Sequence, residues 1–120
     1  MNQIEIHLTR RYRIGLVHQI DEKFVGPDCS RKHGHEIVFD VTIDNSQLNQ
    51  SQQQIDSIVD SAILKPYRER PLSEIQKHST GEAIAAEFFK ILGLPNHFGQ
   101  NLKTIHIAET RKNHFQAICN

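Results

Sequence analysis

Residues 29–43 read Cys-Ser-Arg-Lys-His-Gly-His-Glu-Ile-Val-Phe-Asp-Val-Thr-Ile, and the second half of this stretch decides the fold. Every second residue from Ile37 to Ile43 is apolar, which is the pattern of a strand with one buried face. Side chains two positions apart on a strand point to the same face, so His33 and His35 can converge on one metal ion.

A third histidine, His18, ends a similar alternating run and would supply an imidazole from a neighbouring strand. Three imidazoles with an open coordination position are typical of a catalytic zinc ion, although imidazole also suits copper, iron and nickel. Cys29 follows a turn signal and has three interpretations: a fourth ligand that closes the site, a thiolate base beside the metal, or a small buried residue. The plainer alternative for the histidines is two surface residues and one in the core.

Composition sets limits on the class of protein. The 120 residues fit one domain, residues 1–120, and carry no formal net charge. We therefore expect no nucleic-acid partner, and no apolar run is long enough to cross a membrane. No signal peptide is evident at the N-terminus, so Cys29 and Cys119 are predicted to be reduced thiols in the cytoplasm. Three further histidines are predicted to face outward: His7, His106 and His114.

The alternating segments predict four strands, at residues 3–19, 33–43, 103–110 and 114–119. The first is expected to be bent or interrupted near Arg10 and Arg11. The polar stretch at 44–54 is predicted to be a connecting loop that leads into a helix.

Two helices are predicted between the second and third strands. The first carries an apolar face and should end before Pro66, which disfavours helical backbone at the residue before it. The second opens with a capping box at Ser79–Glu82 and ends at Gly93. Its predicted apolar face is Ala85, Phe88, Phe89 and Leu92. The order ββααββ indicates an α+β fold, with two helices on one face of a four-stranded antiparallel sheet.

Four short motifs follow one another along the chain: His18, Cys29-x-x-x-His33-Gly-His35, Thr80-Gly-Glu82 and Glu109-Thr110. Together they resemble the 6-pyruvoyltetrahydropterin synthase family, in particular its short bacterial branch, the 6-carboxytetrahydropterin synthases. The resemblance implies the tunnelling fold, in which three subunits form a twelve-stranded barrel. Two such trimers stack into a homo-hexamer with active sites at the subunit interfaces.

The resemblance also implies a lyase that binds Zn²⁺ through His18, His33 and His35. Its substrate would be the pterin 7,8-dihydroneopterin triphosphate, and its product 6-carboxytetrahydropterin on the queuosine and deazaguanine pathway, or a related tetrahydropterin. Glu109, with Thr110 beside it, would hold the pterin ring, because a carboxylate accepts two parallel hydrogen bonds. Cys29 would be the general base.

The chain departs from the family at its proton relay. The family places an Asp-His pair after the first helix, two residues before a Leu-Asn. If Leu72-Ser73 corresponds to that Leu-Asn, the positions of the pair fall on Arg68 and Glu69. Glu69 is the candidate substitute, because a glutamate with a raised pKa can act as acid or base, and His78 lies nearby in the sequence. Four interpretations stay open: an enzyme with a substituted relay, a paralogue with altered pterin chemistry, a zinc- and pterin-binding protein with little turnover, and a structural zinc domain.

Overall fold

The computed structural model describes residues 4–19, 32–68, 81–108 and 114–118. Its four strands form one antiparallel sheet in the order β1-β2-β3-β4. Their bounds are β1 His7–Gln19, β2 Lys32–Asp44, β3 Leu102–Ala108 and β4 His114–Ile118. The α+β prediction and the ββααββ order are confirmed, whereas the oligomeric barrel stays a prediction.

Strand β1 is continuous, so the predicted interruption at the two arginines is wrong. It pairs with β2 in one unbroken register from His7 opposite Asp44 to Gln19 opposite Lys32. Two successive arginines fit a regular strand because alternate residues face opposite sides. Arg10 reaches a carboxylate on the helix side, whereas Arg11 pairs with a carboxylate on the neighbouring strand.

The helices cover one face of the sheet. Their bounds are α1 Asn45–Leu48, α2 Gln52–Val59, a π-helical segment Asp60–Leu64, α3 Lys65–Arg68 and α4 Gly81–Leu92. In the described parts of the chain, no helix has the length and apolar character needed to cross a membrane.

The stretch at 44–54 is more ordered than the predicted loop. Asp44 caps α1 by accepting from the Ser46 backbone N–H, at 3.0 Å. Ser51 and Gln54 then form a capping box that starts α2, with hydrogen bonds of 3.2 and 2.8 Å. The first turn of a helix needs polar side chains that accept hydrogen bonds from its free backbone N–H groups. The same residue types are common in loops, so composition alone does not distinguish a helix start from a loop.

The predicted helix end before Pro66 is also wrong. The helix passes through a π segment and continues to Arg68. The Lys65 N–H donates to the carbonyl of Asp60, five residues earlier, which is the bonding pattern of a π-helix. Pro66 then lies in the first turn of α3, where its missing N–H has little cost.

The core lies between the sheet and the helices. Aromatic rings join the two layers: Phe88 of α4 lies 4.9 Å from Phe39 of β2 and 5.2 Å from Tyr67 of α3, between ring centres. The predicted apolar face of α4 is confirmed at Ala85, Phe88 and Leu92, whereas Phe89 is only partly buried and Ile84 joins the core. Other core residues are Ile37, Val41, Ile43, Ile55, Val59, Ile63, Ile105 and Ile107.

A polar cluster ties β1 to α2. Asp56 accepts from Arg10 through both nitrogens Nε and Nη2, at 2.9 and 2.7 Å, and from the Tyr12 hydroxyl at 2.6 Å. The hydrogen bonds from Arg10, followed by that from Tyr12, hold the pKa of Asp56 below its ordinary value of 3.8. The folded state therefore favours the ionised carboxylate.

Stability is expected to depend on pH through Asp56. A carboxyl group whose pKa is lowered on folding stabilises the fold above its unfolded pKa, and this stabilisation is lost as the pH falls through the folded value. In urea unfolding at pH 7, Asp56→Asn should have a lower free energy of unfolding than wild type. This difference in free energy should become smaller below about pH 4. Asp60→Asn, on the next helical turn, is the control and should show a smaller gap at pH 7. An Asp56→Asn gap that stays constant from pH 7 to 3 would contradict the prediction.

Candidate functional site

The backbone gathers the three predicted ligand positions into one patch of the β1–β2 ladder. His18 pairs directly with His33, and Leu16 pairs with His35. Residues directly opposite in an antiparallel ladder have Cα atoms about 4.5–5.5 Å apart. For these three histidines the structure describes the backbone, and in it they are close cross-strand neighbours.

The same patch continues the helix-covered face of the sheet. Ile14 pairs with Ile37, and both are buried in the core. The register has no shift between this pair and the His18–His33 pair, which lies four residues further along. Positions an even number of residues apart share a face. By this parity, the backbone positions of His18 and His33 fall on the face of the sheet that holds Ile14 and Ile37.

The other predicted site residues lie outside the described residues: Cys29, Glu69, Glu109 and Thr110. The strands fix where two of the connecting segments start. Strand β1 ends at Gln19, opposite Lys32, and Cys29 falls between these two in the sequence. Strand β3 ends at Ala108, opposite Val38, while running toward that same end of the sheet. The histidine positions are therefore brought together, and the roles of the other four residues stay predictions.

A second group of metal-ligand types lies at the opposite end of β1. One ligand atom each from Glu5, His7 and Asp44 falls within a 4.8 Å span. His7 Nε2 is 3.0 Å from a Glu5 carboxylate oxygen, and both side chains are exposed. Sequence reasoning predicted the outward position of His7 but missed this group, because Asp44 reaches it only through the strand register. Asp44 is already engaged as the α1 cap, so the group is a weaker metal candidate.

Comparison with known proteins places this architecture. The family model described as 6-pyruvoyl tetrahydropterin synthase matches residues 7–117. The structure of 6-pyruvoyl tetrahydropterin synthase from Caenorhabditis elegans is similar, with a TM-score of 0.75 and 20% identity, over 100% of this chain and 99% of that one. An uncharacterized protein from Wolinella succinogenes aligns at a TM-score of 0.49 and 14% identity, over 98% of this chain and 100% of that one. No curated protein sequence matches. The family match spans nearly the whole chain, and the chain therefore belongs to the 6-pyruvoyl tetrahydropterin synthase family.

Proposed function

We propose that this protein is a zinc-dependent pterin lyase that converts 7,8-dihydroneopterin triphosphate to 6-carboxytetrahydropterin or a related tetrahydropterin. The observation that carries the proposal is the direct pairing of His18 with His33 in a chain of this family. In this proposal the enzyme works in the cytoplasm.

The donor set fits zinc. His18, His33 and His35 would hold the ion, and three imidazoles leave a fourth position for the substrate. Bound there, zinc would act as a Lewis acid toward the hydroxyl groups of the substrate side chain.

The other roles follow the family resemblance. Cys29 would remove a proton from the substrate side chain as a thiolate. Glu109 would accept paired hydrogen bonds from the amino group and ring N–H of the pterin, with Thr110 beside it. Its position directly after Ala108 in the sequence suits this role, because β3 ends on the side of the sheet where the histidine positions lie. Glu69 would return the proton.

A second candidate is a catalytically altered or inactive paralogue that binds zinc and pterin. One observation favours it: Arg68, at the position of the family's aspartate, is exposed at the end of α3, with its guanidinium 4.0 Å from Asp60. An arginine stays protonated in proteins and cannot relay a proton. Return of the proton would then depend on Glu69 alone.

Turnover distinguishes the two candidates. Zinc-loaded protein is incubated with 7,8-dihydroneopterin triphosphate, and the products are identified by mass spectrometry. We expect 6-carboxytetrahydropterin or another tetrahydropterin, lost in Cys29→Ala and strongly reduced in Glu69→Gln. Tight substrate binding without product would favour the paralogue. Absence of both binding and product would reject the pterin site.

We also propose the homo-hexamer of the family. In the described strands, β1 and β4 are the two edges of the sheet, and open edges favour pairing with another chain. Ile6 and Ile118, near the same end of these edges, are 65% and 55% exposed. The preparation used for turnover should therefore sediment at about six times the chain mass of 13.8 kDa, and a monomer would contradict the assembly.

A further inference from the structure

A row of polar side chains crosses the sheet on the face opposite the helices. Asp40 and His106 are paired across β2 and β3, one residue out of phase with the buried Phe39 and Ile107. Arg11 donates to Asp40 through Nε and Nη2, at 2.8 and 3.1 Å. The row is thus outside the core and is separate from the proposed zinc site.

His106 meets a second imidazole from β4. Its Nε2 atom lies 3.2 Å from Nδ1 of His114, and the two ring centres are 5.1 Å apart with the planes tilted by 45°. In the single chain His114 is exposed and His106 is partly exposed, so both imidazoles are accessible to ions there.

These two separations match those of two imidazoles on one metal ion. At bond lengths of about 2.0–2.1 Å, and at angles between a right angle and a tetrahedral one, the nitrogens would lie about 2.8–3.4 Å apart. The ring centres would then lie about 4.5–5.2 Å apart. Rings that point straight at each other in a linear hydrogen bond of this length would have centres about 5.5 Å apart. The observed distance of 5.1 Å between ring centres falls in the range for two imidazoles on one metal ion.

The other ring nitrogen of His106 lies near a carboxylate, as is usual for histidines that bind metals. Its Nδ1 atom lies 3.5 Å from Asp40 Oδ2. A carboxylate at the second ring nitrogen fixes the orientation of a ligating imidazole and makes it a better donor. Arg11 in turn holds the Asp40 carboxylate in place, because its two hydrogen bonds leave the carboxylate little freedom to rotate.

We propose that His106 and His114 form a second metal site, which binds a divalent transition ion such as Zn²⁺ or Ni²⁺ on the face of the sheet opposite the helices. Water completes the coordination, so the site is exchangeable. It is distinct from the histidine patch on β1 and β2, because Asp40, the partner of His106, lies seven residues along β2 from His33 and on the other face.

Calorimetric titration with Ni²⁺ tests the site on the full chain after EDTA treatment. Nickel suits imidazole and, unlike Cu²⁺, does not oxidise the two cysteines. We expect His106→Gln and His114→Gln each to weaken one Ni²⁺ site at least about tenfold, and Asp40→Asn to weaken the same site about tenfold. His114 is exposed, so its variant should keep the wild-type fold, which circular dichroism checks.

Two matched variants show which histidines are responsible for the Ni²⁺ binding. His7→Gln alters the Glu5–His7–Asp44 group, and His18→Gln alters the proposed zinc ligands; both should keep the His106–His114 site. Ni²⁺ isotherms of His106→Gln and His114→Gln that equal wild type would overturn the proposal and leave a simple hydrogen-bonded pair. Loss of the same site in His7→Gln instead would overturn it in favour of the other group. Neither result depends on pterin turnover.

Discussion

His18→Gln is expected to remove zinc and abolish turnover together. His18 is directly opposite His33 in the ladder, so losing it leaves two of three imidazoles on the metal. Mutating a residue that hydrogen-bonds to a metal ligand typically lowers metal affinity about 10–100-fold. Removing a ligand itself should therefore lower zinc affinity more than about 100-fold. In a His114→Gln background, which lacks the second proposed metal site, zinc content after gel filtration should fall from one ion per chain to nearly none. Product formation from 7,8-dihydroneopterin triphosphate should fall with it.

His7→Gln is the matched control, because it makes the same substitution at the other end of the same strand. It should keep zinc and turnover. If His18→Gln retained stoichiometric zinc in the same His114→Gln background while folding normally, the three-histidine assignment would be wrong. If it lost zinc but kept turnover, the metal would bind there without serving the reaction.

Phe88→Ala is expected to destabilise the fold strongly. The ring is fully buried and contacts Phe39 and Tyr67, so it joins α4 to both the sheet and α3. Truncating a buried phenylalanine costs about 3–5 kcal/mol, through lost burial and the cavity that remains. Urea unfolding at pH 7 should show a loss of this size in the free energy of unfolding.

Phe89→Ala, one residue along the same helix, provides the comparison. Phe89 is only partly buried, so its truncation should cost clearly less. Phe88→Leu should recover part of the stability, because it fills much of the cavity. Equal losses for Phe88→Ala and Phe89→Ala would show that the contact with Phe39 contributes little to the stability of the fold.

The strands could be predicted because their signal is local. In β2 the alternation from Ile37 to Ile43 matches the buried positions, and in β3 Ile105 and Ile107 are buried as their spacing indicates. The errors occurred where a local rule was overridden. Arg10 would interrupt a strand without a partner, but Asp56 on α2 supplies one. Pro66 would end an α-helix, but the π segment before it removes the need for its N–H.

The sequence by itself determined the order of the four strands and the two main helices, and it placed the His18 and His33-x-His35 motifs on two strands. Periodicity carries that information, because each side chain's environment repeats with the backbone. Only the tertiary structure decided which residues meet across strands: His18 with His33, His7 with Asp44, and His106 near His114. Pairing register depends on packing of the whole sheet, since shifting one strand by a single residue moves every side chain to the other face.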